Sequence, residues 1–228
     1  MATSRQHAHQ QAVTRTRERR HRLANEAARL MAESGIRDYR LAKRKAAQRL
    51  GIHDDASLPR NREIEDALRQ YHRLFGDGAA QASRLQQQRE AALRALEFFA
   101  PFQPRLIGAA LEGHVDAHSA VCLHLHSDDP QQVAAFLQEH RIPAESSMRR
   151  LRLDRSRQRD VDVWLFSAEE CAFDLTVLPL AALRQAPLSS VDERPMARAS
   201  AAQLRHLLGA GTDLADEDGL PPIPPPRR

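Results

Sequence analysis

The side chains best suited to chemistry gather around one short apolar run. In Val121-Cys122-Leu123-His124-Leu125-His126 the residues alternate, so Cys122, His124 and His126 share one face of a strand, with His114 and His118 in the loop before it. Imidazole and thiolate are zinc ligands, and their convergence would make a zinc-dependent enzyme. The plainer alternative is a polar sheet face on which Cys122 fills space, in a chain whose 11 histidines are widely spread. A carboxylate, Asp174, interrupts a second apolar run, Phe173-Asp174-Leu175-Thr176-Val177. A dense arginine run, Arg149, Arg150, Arg152, Arg155, Arg157 and Arg159, is partly offset by Asp154 and Asp160. It reads as a solvated hairpin, with phosphate or nucleic-acid binding as the alternative.

Upstream, Arg105-Leu106-Ile107 ends in the small-residue turn Gly108-Ala109, and Ser119-Ala120-Val121-Cys122 opens the next strand. The stretch 84–180 resembles the nucleotidyltransferase superfamily. In that family a Gly-Ser or Gly-Gly turn approaches the nucleotide phosphates, the second strand offers two carboxylates one residue apart, and a later strand offers a third. The resemblance gives Gly108, Ala109 and Ser119 to the nucleotide, Ala120 and Cys122 to the metal-binding pair, and Asp174 to the third carboxylate, the one catalytic position retained. Residues i and i+2 of a strand face the same way, so a carboxylate pair there can hold divalent ions that neutralise a triphosphate. Alanine and cysteine cannot hold magnesium, which needs hard oxygen ligands. Glu112, Asp116, Asp128 and Asp129 lie close in sequence, but the first two fall in the turn and Asp129 reads as a helix cap. Asp162 could join Asp174. The chain thus reads as a degenerate, noncatalytic or strongly modified relative that binds a nucleotide, nucleic acid or protein. Any activity kept would be that of a nucleotidyltransferase-like transferase. No cofactor is demanded outright; magnesium or zinc would be the ion taken. The alternative is a structural or interaction protein with no small-molecule ligand.

Charge adds a second theme. Between Arg15 and Arg49 there are 12 basic and 4 acidic residues, whereas the whole chain carries a formal +4. The positive excess is therefore N-terminal, which suits RNA, DNA or an acidic protein, with Arg17, Arg19, Arg20, Arg40, Lys43 and Arg44 as contact residues. Walker-type GxxxxGK[ST], GxGxxG and GxSxG motifs are absent. No apolar run is long enough for a membrane span, no secretory stretch develops, and Cys122 and Cys171 share no short spacing. A cytoplasmic protein is expected.

The elements that must position these residues fall into an α+β pattern, an N-terminal helical bundle followed by a small nucleotidyltransferase-like mixed sheet with flanking helices. Residues 1–16 read as a disordered basic arm and 17–80 as a helical region. Leu23, Ala27, Leu30 and Met31 form its first stripe, a second helix runs to Gly51, and Ile64, Leu68, Tyr71 and Phe75 line a third. Residues 82–209 form the nucleotidyltransferase-like α/β domain. It opens with a helix carrying Leu85, Leu93, Leu96 and Phe99. Two strands follow, then a helix capped at Asp129-Pro130, strands near Leu151–Leu153, Val161–Phe166 and Phe173–Leu178, and a helix capped by Ser200 and Gln203. Residues 210–228 read as a disordered Pro-rich tail.

Overall fold

A computed structural model describes residues 2–76, 78–154 and 156–213. The chain is α+β: helices precede a five-stranded mixed sheet with further helices against it. Helix α1 spans Ala2–Ser34 and α2 spans Tyr39–Leu50; a one-turn 3-10 segment at Asp55–Ser57 leads to α3, Asn61–Phe75. Residues 2–16, expected as a disordered arm, continue α1, because Ala, Gln and Arg favour helix and neither Gly nor Pro occurs before Gly35. Most of the proline-rich tail expectation lies outside the described residues; α7, Ala201–Asp213, extends past the expected boundary at 210.

The first core belongs to α1–α3. Leu23, Ala24, Ala27, Ala28, Leu30 and Met31 of α1 pack with Ala42 and Ala46 of α2 and Ile64 of α3. The alanine stripe on α2 is narrow, so the two helices lie close, and the Asp38 side chain accepts from the Arg40 and Leu41 amides to start α2 while left-handed Gly51 ends it. The α3 stripe stops short of its expected end: Phe75 is 72% exposed, beyond the reach of this core.

The second core lies between the sheet and the helices α4 (Gly78–Phe98), α6 (Pro130–Glu139) and α7. Strands β1 (Arg105–Ile107), β2 (Val121–His126), β3 (Glu145–Arg152), β4 (Gln158–Ala168) and β5 (Cys171–Leu178) take the order β1-β2-β5-β4-β3. The β2–β5 pair is parallel and the other three pairs are antiparallel. Leu106, Val121, Leu123, Leu125, Phe173, Leu175 and Val177 fill this core. The alternate residues of the same strands, Cys122, His124, His126, Asp174 and Thr176, therefore lie on the opposite face. The one-turn helix α5, Ala109–Glu112, joins β1 towards β2. Among the described residues no helix is long and apolar enough to cross a membrane.

Candidate functional site

Ladder register builds the site. Residues opposite one another in a ladder share a face, and Cys122 of β2 stands opposite Asp174 of β5, which stands opposite Leu165 of β4, which stands opposite Glu145 of β3. Thr176 stands opposite both His124 and Val163. Arg149 of β3, opposite Val161, is on that same face and reaches back across β4. Its Nη1 donates to Asp174 Oδ1 at 3.1 Å and to Thr176 Oγ1 at 3.2 Å, and its Nη2 donates to Asp174 Oδ2 at 2.7 Å. Both oxygens of a carboxylate only 5% exposed are thus held by one guanidinium. A bidentate arginine–carboxylate pair is the strong form of such a bond.

Beside this pair opens a cavity of about 510 Å³, bordered by Arg37, Ala120, Glu145, Arg149, Phe166 and Asp174 among others. Arg37 comes from the turn between α1 and α2, whose approach depends on Gly35: its φ is +64°, and a Cβ there would lie 3.0 Å from the His118 ring. The Arg37 guanidinium donates to the His118 carbonyl, which ties the helical half to the sheet. A smaller hollow of about 210 Å³ shares Arg37 and Ala120 with it and is lined also by Ala109, Ser119 and Cys122.

The expected nucleotide turn is close by. Gly108 adopts φ 71°, ψ −152°, a conformation open to glycine alone, and an added Cβ would meet the Cys122 Cβ at 3.9 Å. Ala109 and Ser119 line the smaller hollow, but the Ser119 hydroxyl is spent locally, donating to Asp116 Oδ1 at 2.9 Å and accepting from the Asp116 amide at 2.9 Å. Gly108, Ala109, Ser119, Ala120, Cys122 and Asp174 therefore lie near one another around the start of β2.

Other expectations need correction. Asp162 does not join Asp174, because Leu165, Val163 and Val161 occupy that face of β4 and Asp162 alternates with them. Cys122, His124 and His126 do not converge on an ion. Alternate residues of one strand stand roughly 6.5–7 Å apart, and among the described residues the only group of three potential ligands that converges lies elsewhere. Burial pushes the Cys122 thiol up to about 12, with the Asp174 charge adding to it, the reverse of a metal-binding thiolate. Burial likewise lowers His124 to about 3 and His126 to about 4. His126 Nδ1 bonds the Gln103 carbonyl at 2.8 Å, while His124 Nδ1 and His126 Nε2 have no partner among the described residues. Magnesium does not fit either: neither Ala120 nor Cys122 supplies an oxygen, and both Asp174 oxygens are engaged by Arg149.

The basic residues separate. Arg17, Arg19, Arg40 and Arg44 are exposed, whereas Lys43 is half-buried and burial lowers its ammonium. Arg20 braces the fold, donating from Nη2 to the Ala56 carbonyl at 2.6 Å. The residue that sequence reasoning misses is Arg149, which local spacing groups with a solvated hairpin. The available signal is the alternation itself, since Arg149, with Leu151, falls in phase with Val161 and Val163 once the hairpin is registered.

Fold and site together define an α+β protein with a polar sheet face closed by an arginine–aspartate pair. Comparison of the chain with protein-family models, with curated proteins and with solved structures finds no match.

Proposed function

We propose that the α/β half is a nucleotidyltransferase-like module that binds a nucleotide, or the phosphate-bearing end of a nucleic acid, without magnesium and without transferring a nucleotidyl group. The observation that carries this reading is the Arg149–Asp174 pair beside the cavity. Where the family resemblance asks for metal ions between carboxylates and phosphates, this chain sets a fixed cation. A guanidinium has five N–H donors, and the three bonds to Asp174 and Thr176 leave two for a ligand. Arg37 borders the same cavity from the opposite element. Two arginines around a volume of about 510 Å³ suit a phosphate-bearing ligand of nucleotide size. The exposed arginines of α1 and α2 supply long-range attraction for such anions. Degeneracy at Ala120 and Cys122 leaves binding, not transfer, as the use of the fold.

The test is calorimetry of the full chain with nucleoside triphosphates and a short 5′-phosphorylated RNA, each with magnesium and with chelator. Binding that is unchanged by chelator and weakened at least roughly ten-fold in Arg37→Ala, one tenfold step being about 1.4 kcal/mol, is the expected result. Failure of every ligand to bind in either condition would reject the reading and leave a scaffold whose sheet face is simply filled. Binding that requires magnesium would reject the metal-free part of it.

A further inference from the structure

The seam between the two halves holds a second group of side chains that the cleft does not use. Glu65 of α3, Glu112 at the end of α5 and His114 just beyond it each present one ligand atom, all within 4.8 Å of one another. His114 Nε2 lies 3.5 Å from Glu65 Oε1 and 3.3 Å from Glu112 Oε2. A tetrahedral ion bound at roughly 2.0–2.2 Å by nitrogen and oxygen donors requires those donors to stand about 3.3–3.5 Å apart. His114 therefore stands from the two carboxylates as one corner of such a tetrahedron stands from two others.

The surroundings orient each donor. The other ring nitrogen of His114, Nδ1, faces the Glu112 carbonyl at 3.3 Å, so when an ion displaces the Nε2 proton the remaining proton stays on Nδ1 and Nε2 is free to ligate. Tyr39 of α2 donates its hydroxyl to Glu65 Oε2 at 2.6 Å, leaving Oε1 as the oxygen presented to His114. Supporting contacts of this kind, a carbonyl behind a histidine and a donor behind a carboxylate, are what hold ligands to a metal. Glu65 is only 9% exposed, and a buried carboxylate requires a positive partner.

We propose that Glu65, Glu112 and His114 form a zinc site that staples the helical half to the α/β half, with a fourth position open to water. The mixed imidazole and carboxylate donors favour zinc over magnesium or calcium, which take oxygen alone. Arg69 stands 3.7 Å from Glu65 and 3.8 Å from Glu112, and its side chain is 55% exposed, so it withdraws into solvent when the ion supplies the charge. A proton on His114 serves the same two carboxylates, so ion and proton compete and affinity rises with pH.

The site is tested on chelator-treated, tag-free full chain by calorimetric titration with zinc chloride, with circular dichroism to verify each variant's fold. One equivalent of zinc should bind and raise the melting temperature. His114→Ala, and Glu112→Gln at a half-exposed position that the fold tolerates, should each weaken it by roughly ten-fold or more. Absence of saturable one-to-one binding overturns the proposal. So does binding that survives both substitutions, or that is lost instead in His124→Ala. None of these outcomes depends on whether the cleft binds nucleotides.

Discussion

Arg149 makes Asp174 tolerable where it stands, and removing either partner tests that directly. A carboxylate 5% exposed that loses its guanidinium is left charged without compensation. Arg149→Ala should destabilise the fold on the order of 2 kcal/mol, less than for a fully interior pair because the Arg149 side chain is 43% exposed. In urea unfolding, the Arg149→Ala/Asp174→Ala double variant should lose less than the sum of the two single variants, since each single change strands the other residue. The backbone at Gly108 is testable in the same way. There is room for a methyl group, the nearest atom being 3.9 Å away, so Gly108→Ala reports backbone strain alone, about 1–3 kcal/mol. Both residues bear on how much the sequence discloses. The turn at Gly108 and the strand around Asp174 are legible because each is a local pattern. Arg149 is hidden because its meaning depends on a hairpin register and on a partner strand beyond it, neither of which local spacing encodes.

Strand β2 carries a pH dependence of definite sign. His124 and His126 are 1% and 2% exposed, and burial holds them near 3 and 4 in the folded chain. Unfolded, each titrates near 6.5. Below that value the unfolded chain binds protons that the folded chain refuses, so stability falls as pH falls. Each histidine should cost about 1.4 kcal/mol per pH unit from roughly pH 6.5 down towards its folded value. Melting temperatures measured between pH 7 and pH 5 should drop, and His126→Gln should flatten that slope. Helix α6 is legible from Asp129-Pro130, and Asp129 Oδ1 does accept from the Gln131 amide at 3.0 Å. The capping pair Ser200 and Gln203 is legible for the same reason, a bond between near neighbours. Strand β3 reads from its apolar residues as Leu151–Leu153, yet it spans Glu145–Arg152, because its first half is exposed and polar and owes its conformation to pairing with β4.

For the whole molecule, charge separates into a basic helical end and a sheet face with its own cations. If nucleic acid is the partner, replacing Arg17, Arg19, Arg40 and Arg44 together by Glu should weaken binding to RNA of any sequence. The plot of log affinity against log salt should flatten by about one unit for each phosphate no longer neutralised. An unchanged slope in filter binding would remove α1 and α2 from the interface. The two halves are legible as separate stripes of apolar residues, but the seam is not, since Arg37 with His118 and Glu65 with His114 join residues far apart in the chain, 81 positions in the first case. The sheet's outer margin has a consequence of another kind. One margin, β1, is covered where Leu106 and Ala199 exchange backbone bonds; the other is β3, where among the described residues only the Arg152 carbonyl receives a bond from outside the sheet, from the Leu188 amide. A bare strand of this length invites a second copy to zip onto it and seed precipitation. Of the arginines on this strand, Arg149 is turned inward to Asp174 and Arg152 pairs with Glu193, while Arg150 is 68% exposed and sets a charge on the margin, so Arg150→Val should make the protein aggregate at concentrations the native chain withstands.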